Sequence, residues 1–364
     1  MKYLNEYRNL EATKGYLKLI AQTVTRPWQI MEICGGQTHS LVRNGILELL
    51  PEEVQMIHGP GCPVCVTPLQ LIDKAVELLE QNVIVCSFGD MVRVPGSRKS
   101  LQEAKASGGD LRILYSPMEA VKIARENPDK EVVFFAVGFE TTAPANALSV
   151  LHAQKEGLTN YAILVSHVLV PPAMEGILED KLCNIKAFLG AGHVCAIMGM
   201  KEYYPLAEKY KIPIVITGFE PLDLVEGIYK SVKQLEEGRY EVENQYARVV
   251  KETGNPEAKK VINEVFEVGD RAWRGLGVIP KSGYVLKKAY QAYDAEIKFG
   301  IQAITAPENP DCIAGQILKG IKKPHQCSEF GKACTPANPL GAPMVSSEGA
   351  CAAYYHYANN LISS

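Results

Sequence analysis

Between about residues 28 and 235, short β-branched and apolar runs alternate with longer stretches of helical period, and this alternation restricts the fold more than any other feature. The runs are "QIMEIC", "VQMIHG", "VIVCSFGD", "LRILYS", "EVVFFAVGFE", "YAILVSHVLV", "HVCAIMG" and "IPIVITGFE". Helical candidates follow most of them. In "SPMEAVKIAREN", Ser116 caps, Pro117 takes the first helical position and Glu119 completes a capping box. Thr67 and Pro68 open "TPLQLIDKAVELLEQN" in the same way. Strands alternating with helices imply parallel sheets covered on both faces. Gly-Phe-Glu occurs at Gly138–Glu140 and again at Gly218–Glu220, each time after a strand and before a helix. The expected architecture is therefore α/β: two similar parallel-sheet domains, residues 1–130 and 131–235. After residue 235 come charge-rich helices, and from Gly275 on, Gly/Pro-rich loops, so residues 236–364 form a third, helical and loop-rich unit.

Composition removes several classes of function. Lys and Arg number 38 against 41 Asp and Glu, a net charge of −3 with no basic cluster, which argues against a nucleic-acid binder. The opening "MKYLNEYRNLEATKGY" lacks the apolar core of a signal peptide, and no apolar run is long enough to span a bilayer. A cytoplasmic protein is expected. In a reducing compartment, ten cysteines in a chain of this size point to metal or redox chemistry rather than a disulfide scaffold.

Four of them, Cys312, Cys327, Cys334 and Cys351, are separated by 14, 6 and 16 residues within loops that can wrap a ligand. Four thiolates suit tetrahedral zinc or a [4Fe–4S] cluster, and the lack of paired C-x2-C knuckles favours the cluster. At the other end, Cys34 closes a strand and opens "CGGQTHS" ahead of a helix, where α/β sheets bind ligands and a helix N-terminus lowers a thiol pKa. His39 lies five residues on, as a ligand or proton carrier. Cys62 and Cys65 form a C-x-x-C pair after the next strand, a setting for a dithiol/disulfide couple. Cys86 and Cys195 read as buried strand cysteines, and Cys183 as one in a helical stretch. Asp90, Arg93, Glu140, Thr141, Thr142 and His167 stand at strand ends, where site residues and ordinary caps both occur.

Taken together, "CGGQTHS", "GPGCPVCVTP", "FGDMVRVPGS", "GFETTAP" and the quartet ending in "SSEGACAAYY" resemble the HypD family of hydrogenase maturation factors over residues 34–355. One departure is Gln37, where the family often has histidine. The resemblance implies a [4Fe–4S] cluster held by Cys312, Cys327, Cys334 and Cys351. It also implies a scaffold that assembles the Fe(CN)2CO group with a small HypC-type partner, Cys34 binding the iron. A HypE-type partner would donate cyanide from a thiocyanate, with Cys62 and Cys65 relaying electrons. Glu348, three residues before Cys351, would orient the cluster loop or act on the thiols. Two other readings compete: an iron–sulfur-linked thiol–disulfide oxidoreductase, and a non-redox α/β enzyme with structural zinc.

Overall fold

The computed structural model describes residues 9–301 and 307–358. Nine strands form two parallel sheets. The first sheet runs β2-β1-β7-β8-β9, from β1 (Trp28–Glu32), β2 (Val54–His58), β7 (Ala187–Ala191), β8 (Ile214–Thr217) and β9 (Val242–Asn244). The second runs β4-β3-β5-β6, from β3 (Ile84–Ser87), β4 (Leu111–Ile113), β5 (Val132–Gly138) and β6 (Tyr161–His167). Every residue of β5 and β6 is buried, as strands with helices on both faces require. The α/β class with two similar parallel sheets is therefore present, followed by a helical and loop-rich C-terminal region.

Sequence order and sheet membership do not coincide. The first sheet is built from residues 28–58 and 187–244, and the second from the stretch between them. Residue 130 falls between β4 and β5, two members of one sheet, because β3 pairs with both. The Gly-Phe-Glu repeats also occupy non-equivalent places. One follows β5, next to the strand order reversal of its sheet, and the other follows β8, one strand further out. A shared tripeptide did not mark a duplicated unit.

Local chemistry explains several boundaries. Ser116 accepts from the Met118 amide while Glu119 reaches back to the Ser116 amide, the expected capping box over Pro117–Glu126. The helix after the C-x-x-C pair instead starts at Leu69, and Thr67 turns away to donate to the Pro63 carbonyl at 2.9 Å. "HVCAIMG" is helical, Gly192–Met198, because the strand is the preceding "AFLGA"; Cys195 is thus a buried helix residue. Cys183 lies in a loop.

The charge-rich region beyond residue 235 contains an antiparallel hairpin, β10 (Phe266–Trp273) and β11 (Gly277–Leu286), with an irregularity between Gly269 and Arg271. The hairpin docks beside the second sheet, where the Leu169 amide just past β6 donates to the Ser282 carbonyl at 2.8 Å, and within the hairpin the Trp273 indole donates to Ser282 Oγ at 2.9 Å. Just past β10, the Arg274 amide donates to the Val66 carbonyl at 2.8 Å, fixing the end of the C-x-x-C turn. Among the described residues, no helix is long and apolar enough to cross a membrane.

Candidate functional site

The strand order of the first sheet reverses between β1 and β7, and ligands of open α/β sheets sit at the carboxyl end of such a point. Cys34 stands there. It precedes the helix Gly35–Arg43 as its N-cap residue and is half-buried. The loop after β2 closes alongside, the Gly35 amide donating to the Gly61 carbonyl at 2.9 Å. The next residue is Cys62, which is disulfide-bonded to Cys65 with 5.2 Å between their Cα atoms. Two strand-end loops thus put the single thiol and the sulfur pair side by side.

The C-terminal segment Val345–Cys351 covers this place and ties it to the second sheet. Ser346 Oγ donates to Asp90 at 2.7 Å, and Arg93 donates to the Val345 carbonyl at 3.2 Å. His39 Nδ1 donates to the Ser347 carbonyl at 3.0 Å. Glu348 lies directly over Gly35: a Cβ there would stand 2.5 Å from the Glu348 Cβ and 2.7 Å from its carbonyl oxygen. Asp90 and Arg93 therefore join Cys34 and His39 through one strap, although they come from the other sheet. Glu348 faces Cys34.

Electrostatics at Cys34 run against the sequence expectation. Burial pushes its thiol up, to about 12, and the nearby Glu348 and Glu32 carboxylates add to the effect. The Gly36 and Gln37 amides at the helix start pull the other way, but they lose. A thiol held protonated in this way needs a metal, rather than a base, to displace its proton. Burial likewise raises Glu348, with Asp90 and Glu32 adding to it.

Around Cys34 lie groups that were not singled out from sequence. Glu32 is fully buried and its carboxylate accepts from the Cys34 amide at 3.1 Å, from the Thr38 hydroxyl and from His58 Nδ1 at 2.8 Å. Glu32 and His58 are the last paired residues of β1 and β2, which explains their meeting. Phe219 contacts the space over Gly36 and stacks on His193, with 3.8 Å between ring centroids. Period and register could have placed Glu32 and His58 on one edge, but a glutamate at the end of "QIMEIC" carries no motif signal. Gln37 points the other way, donating to the Gly190 carbonyl at 3.0 Å and Thr217 Oγ1 at 2.7 Å. Its side chain pins the helix to the sheet, and only its backbone amide serves Cys34.

Glu140 and His167 form a separate buried set, with Thr141 and Thr142 half-buried beside them. Burial raises Glu140 to about 8, and one of its oxygens accepts from the Val170 amide at 2.9 Å. His167 is held neutral by burial and the Arg271 charge, its Nε2 against Asn146 and Thr142. None of these touches Cys34.

Cys312, Cys327, Cys334 and Cys351 line one pocket with Ile317, Phe330 and Met344. Among the described residues, no three His, Cys, Asp or Glu side chains are grouped to hold a single ion. The four cysteines do share the lining of one pocket. A Cβ at Gly341 would overlap the Cys312 sulfur, so glycine keeps this wall clear. The Leu340 amide donates to Cys334 Sγ at 3.4 Å, and the Arg274 guanidinium stabilises a Cys312 thiolate. Burial and the three neighbouring thiols all oppose ionisation of Cys351. Four thiolates here thus need cationic charge to share, and the donor set fits a [4Fe–4S] cluster.

Two outcomes are expected. Replacing Glu348 by Gln removes a negative charge beside Cys34, lowers its pKa and accelerates iodoacetamide labelling of the Cys34 peptide at pH 8 by roughly 3- to 10-fold, as half to one pKa unit implies. Gly35→Ala forces the strap away and costs about 1–3 kcal/mol, read as a fall of several degrees in the unfolding temperature.

The family model described as "HypD: Hydrogenase formation hypA family" matches residues 11–358. Hydrogenase maturation factor HypD2 of Bradyrhizobium diazoefficiens is 48% identical over 98% of this chain and 97% of its own length. The HypD factors of Rhodobacter capsulatus and Escherichia coli are 46% and 45% identical, each over 98% of this chain and 98% of their own length. The chain therefore belongs to the HypD family of hydrogenase maturation factors, and its role lies in hydrogenase maturation.

Proposed function

We propose that this protein is the scaffold on which the Fe(CN)2CO group of [NiFe]-hydrogenases is assembled, working in the cytoplasm with a small HypC-type partner. The observation that carries the reading is the adjacency of Cys34 to the Cys62–Cys65 pair at one sheet edge. Cys34 anchors the cargo iron, together with a thiolate of the HypC-type partner. Thiolate is a soft ligand suited to low-spin ferrous iron that carries cyanide and CO. His39, fixed through its Nδ1 to Ser347, presents its other nitrogen to carry a proton or complete the iron's coordination.

Cyanide comes from a thiocyanate on a HypE-type partner. Breaking the partner's S–C bond as the Fe–C bond forms takes two electrons and leaves a thiolate on the partner. The Cys62–Cys65 dithiol supplies both by closing to the disulfide and releasing two protons, one of which neutralises that thiolate. A low-potential one-electron donor then restores the dithiol. Cys312, Cys327, Cys334 and Cys351 would hold a [4Fe–4S] cluster, which would supply electrons singly. That all four cysteines, and no histidine, line one pocket supports this reading.

The test is an infrared spectrum of the anaerobically purified protein co-produced with HypC- and HypE-type partners, compared with Cys34→Ala. Iron-bound cyanide and CO bands are expected in the wild type and absent from the variant. Their absence from both, with the partner complex intact, would favour a thiol–disulfide oxidoreductase; bands of equal strength in both would remove Cys34 as the anchor.

A further inference from the structure

A buried hydrogen-bond chain joins Cys34 to the helix that begins beside Cys351. Helix Ala350–Tyr357 carries Cys351 in its first turn and Tyr354 one turn later. Tyr354 is 1% exposed, and its hydroxyl lies 3.1 Å from His58 Nε2. His58, 4% exposed, places Nδ1 2.8 Å from Glu32 Oε1, and Glu32 Oε2 accepts the Cys34 amide at 3.1 Å. The carboxylate offers only acceptors, so Nδ1 carries the hydrogen, and Nε2 pairs with the tyrosine hydroxyl. Each link is thereby satisfied.

The links have no slack. Glu32 is fully buried and its other two donors, the Cys34 amide and the Thr38 hydroxyl, belong to the start of helix Gly35–Arg43. His58 is its sole tie among these to another part of the chain, and Tyr354 is the tie from His58 to the C-terminal helix. Losing one donor leaves a buried polar group unpaired, which costs more than an ordinary hydrogen bond contributes. Tyr354 also packs with Val42 of helix Gly35–Arg43, so the two helices share an apolar contact as well as the polar chain. A shift of the Cys351 turn must either drag His58 and Glu32 or break the chain.

We infer that Tyr354, His58 and Glu32 are positioning residues that report cluster occupancy at Cys351 to the backbone of Cys34, so that the iron-anchoring turn is held in its working geometry only once the cluster is in place. The inference rests on the reading of the quartet as the cluster site. It is separate from the electron route through Cys62 and Cys65, since no sulfur takes part. Its consequence is an order of assembly: the scaffold's own cluster first, the cargo iron second.

The test compares backbone hydrogen exchange of the full chain before and after anaerobic reconstitution with ferrous iron and sulfide, loading being measured as bound iron and acid-labile sulfide. In the wild type, loading is expected to slow exchange about tenfold in peptides covering residues 33–41, as for closing a local opening, and also in 350–357. Tyr354→Phe and His58→Phe are expected to load equally and to protect 350–357, yet to lose the slowing at 33–41. His58→Gln, which keeps a donor and an acceptor, is expected to restore part of it. Equal slowing at 33–41 in the Phe variants, or none in the wild type after full loading, would overturn the inference and leave the scaffold reading standing. Full loading of Cys351→Ser would overturn the quartet assignment and this inference with it.

Discussion

Gly35 and Glu348 approach so closely that no Cβ fits between them, and this contact lets the C-terminal strap lie on the turn that carries Cys34. From it the other placements follow. The strap brings Ser346 to Asp90 and Val345 to Arg93, which fastens the second sheet to the site, and Ser347 to His39, which orients the imidazole. Immediately beyond, the chain turns into the helix that starts beside Cys351. One stretch of seven residues therefore couples two sheets and a sulfur-lined cavity, and a side chain at residue 35 would uncouple them.

Charge gives the arrangement its chemical character. Glu348 and Glu32 add their charge against a thiol already disfavoured as an anion by burial, and Asp90 in turn acts on Glu348. The helix start favours the thiolate, but a dipole effect near the surface is worth about 0.3–1 kcal/mol, less than the cost of burying an unpaired thiolate. Such a sulfur is a poor nucleophile at neutral pH and a good ligand for a cation that brings its own charge. The quartet obeys the same logic. Mutual repulsion and burial oppose four thiolates, while amides at residues 340 and 341 and the Arg274 guanidinium prepare individual sulfurs for a cationic core.

Much of this was legible in the sequence because it lies in local patterns. Strand periodicity gave the α/β class, the capping box at Ser116 held to the residue, and "CGGQTHS" and "GPGCPVCVTP" placed Cys34 and the disulfide pair at strand ends. What was hidden depends on contacts far apart in the chain. The interleaving of the sheets is a matter of which strands pair, and β3 with β5 is not visible in either strand alone. The hairpin Phe266–Leu286 falls where the sequence suggests the end of a charge-rich helix and, from Gly275 on, loops, because its charged, exposed positions obscure the alternation. Glu32, His58 and Tyr354 come from three segments and show their meaning only when a strand register and a distant helix bring them together.

The most direct test of the account is whether the Cys62–Cys65 disulfide is reduced through the cysteine quartet. Wild-type protein carrying its iron and sulfide, and Cys351→Ser, would each be photoreduced anaerobically with a one-electron donor, with the Cys62 and Cys65 thiols followed by alkylation and peptide mass analysis. The account expects both thiols to appear together in the wild type and far more slowly in the variant. Reduction at the same rate in both would show that electrons reach the pair without the quartet, and the proposed route from cluster to dithiol to iron would be wrong.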